Sequence, residues 1–241
     1  MIEIITFDLW NTLIANKSHS EQRLQYFFQF LQEREIFIPF DELKNAYDKK
    51  FHFSEVTFEE IEFRHIYTVD RILNVLKEIK TDMSKADLDH LRQEFESMML
   101  QDPPQLKEGV KKTLEELVSS YQIGLISNTG VTPGRVLSKV LDDHDILDFF
   151  EVTVFSDESG FFKPHPKMFK IPLKKLKCKA QNAIHVGDIL ETDIKGANDS
   201  KMYSVWVNDS NKPKPINIQP DYEIQQIYEV VKIVSNHNEE K

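Results

Sequence analysis

The sequence predicts an α/β protein built on a doubly wound parallel sheet, with an α-helical segment inserted after its first strand. Three observations predict it. Short apolar, β-branched runs recur along the chain, separated by stretches long enough to hold helices, as in βαβ units. Between about residues 17 and 100 there is no glycine, and apolar side chains fall at helical spacing. The residues best suited to chemistry follow the apolar runs directly, where open α/β sheets place their ligands.

Ile2 to Phe7 is the first such run and stops at Asp8, as a buried parallel strand would. The next segment switches period. Leu24, Phe27, Phe28 and Leu31 share one helical face, and a second stripe comprises Ile66, Val69, Ile72, Leu73, Leu76 and Ile79. A third helix from Asp87-Leu88 to Met99 follows a capping-type turn at Met83-Ser84. Core packing is the simplest role for these stripes, within one chain or partly across two. Asp102-Pro103-Pro104 reads as the return linker, because successive prolines cannot continue a helix. The expected division is therefore 1–16 with 103–241 as a discontinuous core, and 17–102 as a helical cap.

After that linker, Glu108 to Leu117 reads as a helix. The later strands are Gln122 to Ile126, Val152 to Phe155, Ala183 to Val186 and Tyr203 to Val207. Lys212-Pro213-Lys214-Pro215 reads as a loop, followed by a short strand near Tyr222, a helix through about Val234, and a frayed tail from His237.

The charge narrows the partners. Thirty basic against 40 acidic residues give a net charge of −10, which argues against nucleic acid and against an anionic membrane surface. Small molecules are the expected ligands. One cysteine, Cys178, permits no internal disulfide, and no apolar stretch approaches the roughly 18 to 20 residues needed to span a bilayer. Met1 is followed by Ile-Glu-Ile-Ile rather than by a basic and then a long apolar segment, so a cytoplasmic location is expected. Dinucleotide-binding and phosphate-loop glycine signatures are absent from the sequence.

Four segments carry the candidate chemistry: Thr6-Phe7-Asp8-Leu9-Trp10-Asn11-Thr12-Leu13, Leu125-Ile126-Ser127-Asn128-Thr129, Gly160-Phe161-Phe162-Lys163-Pro164-His165-Pro166, and Val186-Gly187-Asp188-Ile189-Leu190-Glu191-Thr192-Asp193. A carboxylate held at a strand end can attack an electrophile, a lysine can offset carboxylates and an anionic substrate, and hydroxyls can bind transferring oxygens. In type and order these segments resemble the four motifs of the haloacid dehalogenase-like superfamily, and residues 17–102 resemble in position its helical cap.

The resemblance implies a Rossmann-like hydrolase with Asp8 as nucleophile and Ser127, Lys163 and Asp188 as its catalytic companions. It also implies Mg²⁺ held by Asp8, the backbone carbonyl of Trp10 and Asp188. Thr12, Asn128 and Trp10 match positions that hold substrate or the first-motif loop, and Asp193 matches a supporting acid. The implied substrate is a small anion, most simply a phosphorylated metabolite.

One departure matters. The family's phosphatases usually carry a second aspartate two residues after the nucleophile, where this chain has Trp10. An indole cannot exchange a proton near neutral pH. An aromatic there resembles the family's 2-haloacid dehalogenases, yet those need no metal and lack the acid that Asp188 represents. A metal-independent dehalogenase and a degenerate ligand- or protein-binding member are thus the alternatives. Arg23, Arg34 and Arg64 are available in the helical segment to meet a substrate carboxylate but read more simply as solvated, and His185 reads as a packed core histidine.

Overall fold

The computed structural model describes residues 1–52, 61–213 and 216–239. Part of the helical insertion, 53–60, Lys214 and Pro215 of the expected loop, and the last two residues of the expected tail lie outside them. Six parallel strands form one sheet: β1 (Ile4–Phe7), β2 (Gln122–Ser127), β3 (Val152–Phe155), β4 (Ala183–Gly187), β5 (Tyr203–Val207) and β6 (Tyr222–Ile224), in the order β3-β2-β1-β4-β5-β6. β1 and β4 are buried at every position, which is why their sequences are apolar runs without alternation.

This order places the site. From β1 the chain adds β2 and β3 on one side, then crosses to add β4, β5 and β6 on the other. Phe7 pairs with both Leu125 and Val186, so the chain leaves β1, β2 and β4 at nearly one level. The crevice beyond their carboxyl ends is the topological switch point, where divergent loops leave room for a ligand.

Helices α1 (Ser20–Gln32), α2 (Phe40–Lys50), α3 (Thr68–Glu78) and α4 (Lys85–Ser97) follow β1. Phe27, Phe30, Phe51, Ile72, Leu76 and Phe95 belong to an apolar cluster of their own, distinct from the one beneath the sheet. Burying each such side chain contributes about 1.5–3 kcal/mol, so the insertion has the means to hold itself together. Ser84 caps α4, its hydroxyl accepting from Asp87 N at 3.1 Å.

Two details differ from the sequence stripes. Leu73 is exposed, because the inward face of α3 runs through Thr68, Arg71, Ile72, Val75 and Leu76, and Leu73 falls one step off it. Arg23 is buried rather than solvated; it donates to the Phe95 carbonyl at 3.0 Å and to the Thr132 hydroxyl at 3.1 Å, tying α1 to the sheet domain.

The chain returns through α5 (Val110–Leu117), and then α6 (Gly134–Asp143), α7 (Ser156–Ser159), α8 (Pro166–Lys175) and α9 (Lys195–Asp199) connect successive strands. The last helix, α10 (Glu229–Glu239), extends beyond Val234. His237 is buried and bonded to the Tyr222 hydroxyl at 2.8 Å, so the segment expected to fray is held to the sheet edge as far as the described residues run. No helix among the described residues is long and apolar enough to cross a membrane.

Candidate active site

Asp8 is the first residue after β1. Its backbone N–H donates to the Val186 carbonyl at 2.8 Å, which continues the ladder and fixes the side chain at the sheet edge. The residue is 5% exposed, and its carboxylate accepts from the Lys163 ammonium. Lys163, 3% exposed, also donates to Asp193 Oδ1 at 2.6 Å. One cation therefore bridges two carboxylates that lie 185 residues apart in the chain.

Lys163 is itself fixed by Asn128, whose side-chain oxygen accepts from Lys163 N at 2.6 Å and whose amide donates to Lys163 O at 3.3 Å. Asn128 was expected to bind substrate. It lines the cleft, but both ends of its amide are engaged in holding the lysine. Ser127 is fully buried at the end of β2, its hydroxyl 3.4 Å from the Asn128 carbonyl.

Asp193, the acid expected to support the site, is paired directly with Lys163. It lies 1% exposed in a single π-helical turn, Leu190–Ile194, and accepts from the Ile189 backbone N–H at 3.0 Å. His185 Nε2 stands 3.3 Å from its other oxygen, and His185 Nδ1 lies 2.9 Å from the Thr6 hydroxyl. Burial holds this histidine below its ordinary pKa, so it is neutral, and the Nε2–H tautomer satisfies both contacts. It is the packed core histidine expected from sequence, with a polar task.

Gly187 makes the close approach possible. A Cβ at that position would lie 2.4 Å from Asp193 Cγ, too close for any side chain. Gly187→Ala is accordingly expected to displace Asp193 from Lys163 and to lower stability by about 1–3 kcal/mol, with a greater proportional loss of activity. Urea midpoints and turnover on the same preparation check this, and an unchanged protein would remove Asp193 from the site.

The titrations follow from burial and charge. Burial pushes the Asp8 carboxyl up to about 8; Lys163 opposes this, and Asp193 and Asp188 reinforce it. Burial pushes Asp188 up to about 6, reinforced by Asp193 and opposed by Lys163 and the Asn11 amide. Burial also opposes the charged forms of Asp193 and Lys163, but their attraction outweighs it, holding the Asp193 carboxyl well below the carboxylate range and Lys163 above its usual value. Lys163 contacts both carboxylates, so a single ammonium serves Asp8 and Asp193 together.

Asp8, Asp188 and Asp193 each offer an oxygen within 4.8 Å of the others. Three carboxylates facing one ammonium leave excess negative charge in a nearly dry pocket. Asp188 Oδ1 is buried and accepts no hydrogen bond among the described residues, a costly state for a carboxylate oxygen unless a cation ligates it. Hard oxygen donors with this charge deficit fit a small divalent cation.

The first-motif loop is held differently from expectation. Thr12 Oγ1 is buried without a hydrogen-bond partner among the described residues, so its hydroxyl does not tie the loop. Backbone bonds do so instead: Asn11 N to Ile14 O at 2.8 Å, and Leu13 N to Leu9 O at 2.9 Å. Asn11 adopts φ 55°, the left-handed region that glycine tolerates best and asparagine next. Trp10 is half-buried and packs against the sheet core.

A cleft of about 760 Å³ opens beside Lys163, between the helical insertion and the sheet. Its walls include Phe63 and Arg71 from the insertion, and Asn128, Phe162, Ile189, Glu191, Thr192 and Lys195 from the core. Arg71 is buried and donates to the Phe51 carbonyl at 2.9 Å; burial lowers its pKa to about 10, which leaves it cationic at neutral pH. Arg23, Arg34 and Arg64 are the arginines that the sequence offers for a substrate carboxylate, yet Arg71 is the one on the cleft wall. The available signal was an arginine inside the apolar stripe of α3, beside Ile72 and one turn before Val75. A second cleft of equal volume, among α5, β6 and α10, holds none of the acid cluster.

Known proteins resemble this chain in sequence and fold. The haloacid dehalogenase-like hydrolase family model matches residues 2–200. A glyceraldehyde 3-phosphate phosphatase of Pyrococcus abyssi is 37% identical over 134 residues, 54% of this chain and 55% of that protein. The chain thus spans about half the length of such curated relatives. Among solved structures, a 2-haloacid dehalogenase from Pseudomonas syringae superposes with a TM-score of 0.76 at 23% identity, over 98% of this chain and 100% of that one. A HAD phosphatase from Thermococcus onnurineus gives 0.62 at 24% identity, over 97% and 98% respectively. Both likenesses show the fold. With a family model covering most of the chain and the four motif segments gathered at one sheet edge, the protein belongs to the haloacid dehalogenase-like hydrolase family.

Proposed function

We propose that the protein is a Mg²⁺-dependent phosphohydrolase acting on a small phosphorylated metabolite through an aspartyl-phosphate on Asp8. The observation that carries this reading is the charge deficit at Asp8, Asp188 and Asp193, together with the unpartnered buried oxygen of Asp188. A metal-independent dehalogenase has no use for that acid. Relatives named as phosphatases support the same choice.

An Asp8 oxygen attacks the phosphorus while the bond to the leaving oxygen breaks, transferring the phosphoryl group to the carboxylate; with Trp10 at the usual acid position, the leaving oxygen departs as an anion and takes its proton from water. Lys163 offsets charge on both Asp8 and the incoming anion, and the Ser127 hydroxyl, now 3.4 Å from the Asn128 carbonyl, would turn to donate to a transferring oxygen. Asp8, the Trp10 carbonyl and Asp188 would hold Mg²⁺, which when bound neutralises the phosphoryl oxygens. Water then attacks the acyl phosphate, releasing inorganic phosphate and restoring Asp8. Residues 17–102 serve as a cap whose Arg71 and Phe63 wall the cleft, excluding water and selecting the substrate. The expected setting is the cytosol, where such metabolites and Mg²⁺ are found together.

Hydrolysis of p-nitrophenyl phosphate with Mg²⁺ or with EDTA tests the reading, because this leaving group needs little protonation. Turnover that Mg²⁺ supports and EDTA abolishes is expected; turnover indifferent to metal, or halide release without it, would sink the proposal. Trp10→Asp should then raise turnover of alkyl phosphates, which do need a proton, by about 10²-fold or more. The check is the ratio of alkyl to p-nitrophenyl turnover in the two proteins; an unchanged ratio would mean that position 10 does not limit leaving-group protonation.

A further inference from the structure

We infer that Lys107 is a positioning residue for the metal-binding loop, acting through the Asn11 carbonyl; this rests on the Mg²⁺ reading above. Lys107 lies on the return segment from the helical insertion, outside all four motif segments. Its ammonium donates to the Asn11 carbonyl at 2.6 Å and to Asp209 Oδ2 at 2.6 Å. Its backbone N–H donates to Leu13 O at 2.9 Å, and the adjacent Ala15 N to Gln105 O bond is also 2.9 Å. Side chain and backbone of one residue thus grip both sides of the loop that contains Trp10, Asn11 and Thr12.

Backbone bonds close the loop on itself, and Lys107 joins it to the return segment and, through Asp209, to the end of β5. Asn11 is in the left-handed region, which a side chain occupies at some cost, and the Lys107 ammonium on its carbonyl adds to the internal Asn11 N to Ile14 O bond in holding it there. The Thr12 hydroxyl makes no bond among the described residues and borders the same small cavity of about 230 Å³ as Lys107 and Asp209. The peptide between Trp10 and Asn11 carries the carbonyl assigned to the metal, and the Asn11 amide acts on Asp188. A shift of Asn11 therefore reaches both the loop ligand and the environment of the fourth-motif acid. Asp209, just past β5, anchors the ammonium, and that ion pair lowers the Asp209 pKa.

The sign of the effect separates positioning from simple charge. Lys107 is a cation near a carboxylate cluster, so a purely electrostatic role would make Lys107→Met bind Mg²⁺ more tightly. A positioning role makes it bind more weakly, because the loop carbonyl loses its fixed place. Groups that orient metal ligands are typically worth about 10- to 100-fold in affinity.

The experiment is calorimetric titration of the full chain with Mg²⁺, for wild type, Lys107→Met, Lys107→Arg, Asp209→Asn and Asp188→Asn, with urea midpoints recorded for each. Expected are a loss of about 10-fold or more in affinity for Lys107→Met, near-wild-type affinity for Lys107→Arg, and a smaller loss for Asp209→Asn. Asp209→Asn carries the test if Lys107→Met does not fold, since it leaves the lysine in place. Unchanged or tighter Mg²⁺ binding in Lys107→Met, or in Asp209→Asn where that variant stands in, overturns the inference. Wild-type protein whose Mg²⁺ binding is absent, or survives in Asp188→Asn, overturns the metal reading, and the role of Lys107 falls with it.

Discussion

Asp8→Asn should lose p-nitrophenyl phosphate turnover by about 10⁴- to 10⁶-fold while remaining folded. The loss follows from chemistry: an amide oxygen is too weak a nucleophile to form the acyl phosphate, and no other described carboxylate occupies the end of β1. The retained fold follows from electrostatics. Asp8 is nearly inaccessible and its pKa is raised to about 8 because burial and two neighbouring carboxylates disfavour its charge. The amide keeps the shape and can still accept from Lys163, while the repulsion with Asp193 and Asp188 disappears. Stability should therefore hold or rise. Urea midpoints alongside initial rates measure both, and activity within tenfold of wild type would reject Asp8 as nucleophile.

Lys163→Met should have the largest effect on stability. The side chains of Lys163, Asp8 and Asp193 are 2%, 7% and 1% exposed, so removing the ammonium leaves clustered carboxylates without a counter-ion in a dry site. Breaking a buried pair in this way typically costs about 3–5 kcal/mol. The deficit should be greatest in EDTA and partly recovered by Mg²⁺, because a dication replaces some of the lost charge. It should also shrink as pH falls. Asp8 and Asp188 have folded-state pKa values raised to about 8 and about 6, so protonation from neutral pH downward favours the folded state and relieves the repulsion. Urea unfolding at pH 7 and pH 5, with and without Mg²⁺, measures each part. A Lys163→Met protein within about 1 kcal/mol of wild type in EDTA would show that the cluster does not depend on this cation.

Much of this was legible in the sequence. The apolar runs ending at Asp8, Ser127 and Gly187 are strands because buried parallel strands need side chains apolar on both faces. The glycine-free segment is helical because its stripes follow a 3.6-residue period, and Ser84 could be recognised as a cap from its place before Asp87. Asp8, Lys163 and Asp188 could be offered as candidate site residues because the segments that hold them resemble the family's motifs in type and order. Periodicity, capping and motif order are local properties, and local sterics and amphipathicity determine them without reference to the rest of the chain.

The partners of each group were another matter. Asp193 is offered by the sequence as a supporting acid, but that its partner is Lys163 follows only from how β4 and its π-helical turn are placed. Asn128, offered by the sequence as a substrate ligand, lines the cleft and also brackets the backbone of that same lysine, a contact no local pattern announces. Arg71 was one more charged residue on a helix until the insertion folded it against the cleft, and Arg23 proved to be a buried tie between layers. Lys107 meets Asn11 and Asp209 across separations of 96 and 102 residues. Such contacts depend on which strands the crossovers set side by side and on how the helical layer docks. They arise from the packing of elements whose faces the sequence defines, but whose neighbours only the tertiary structure decides.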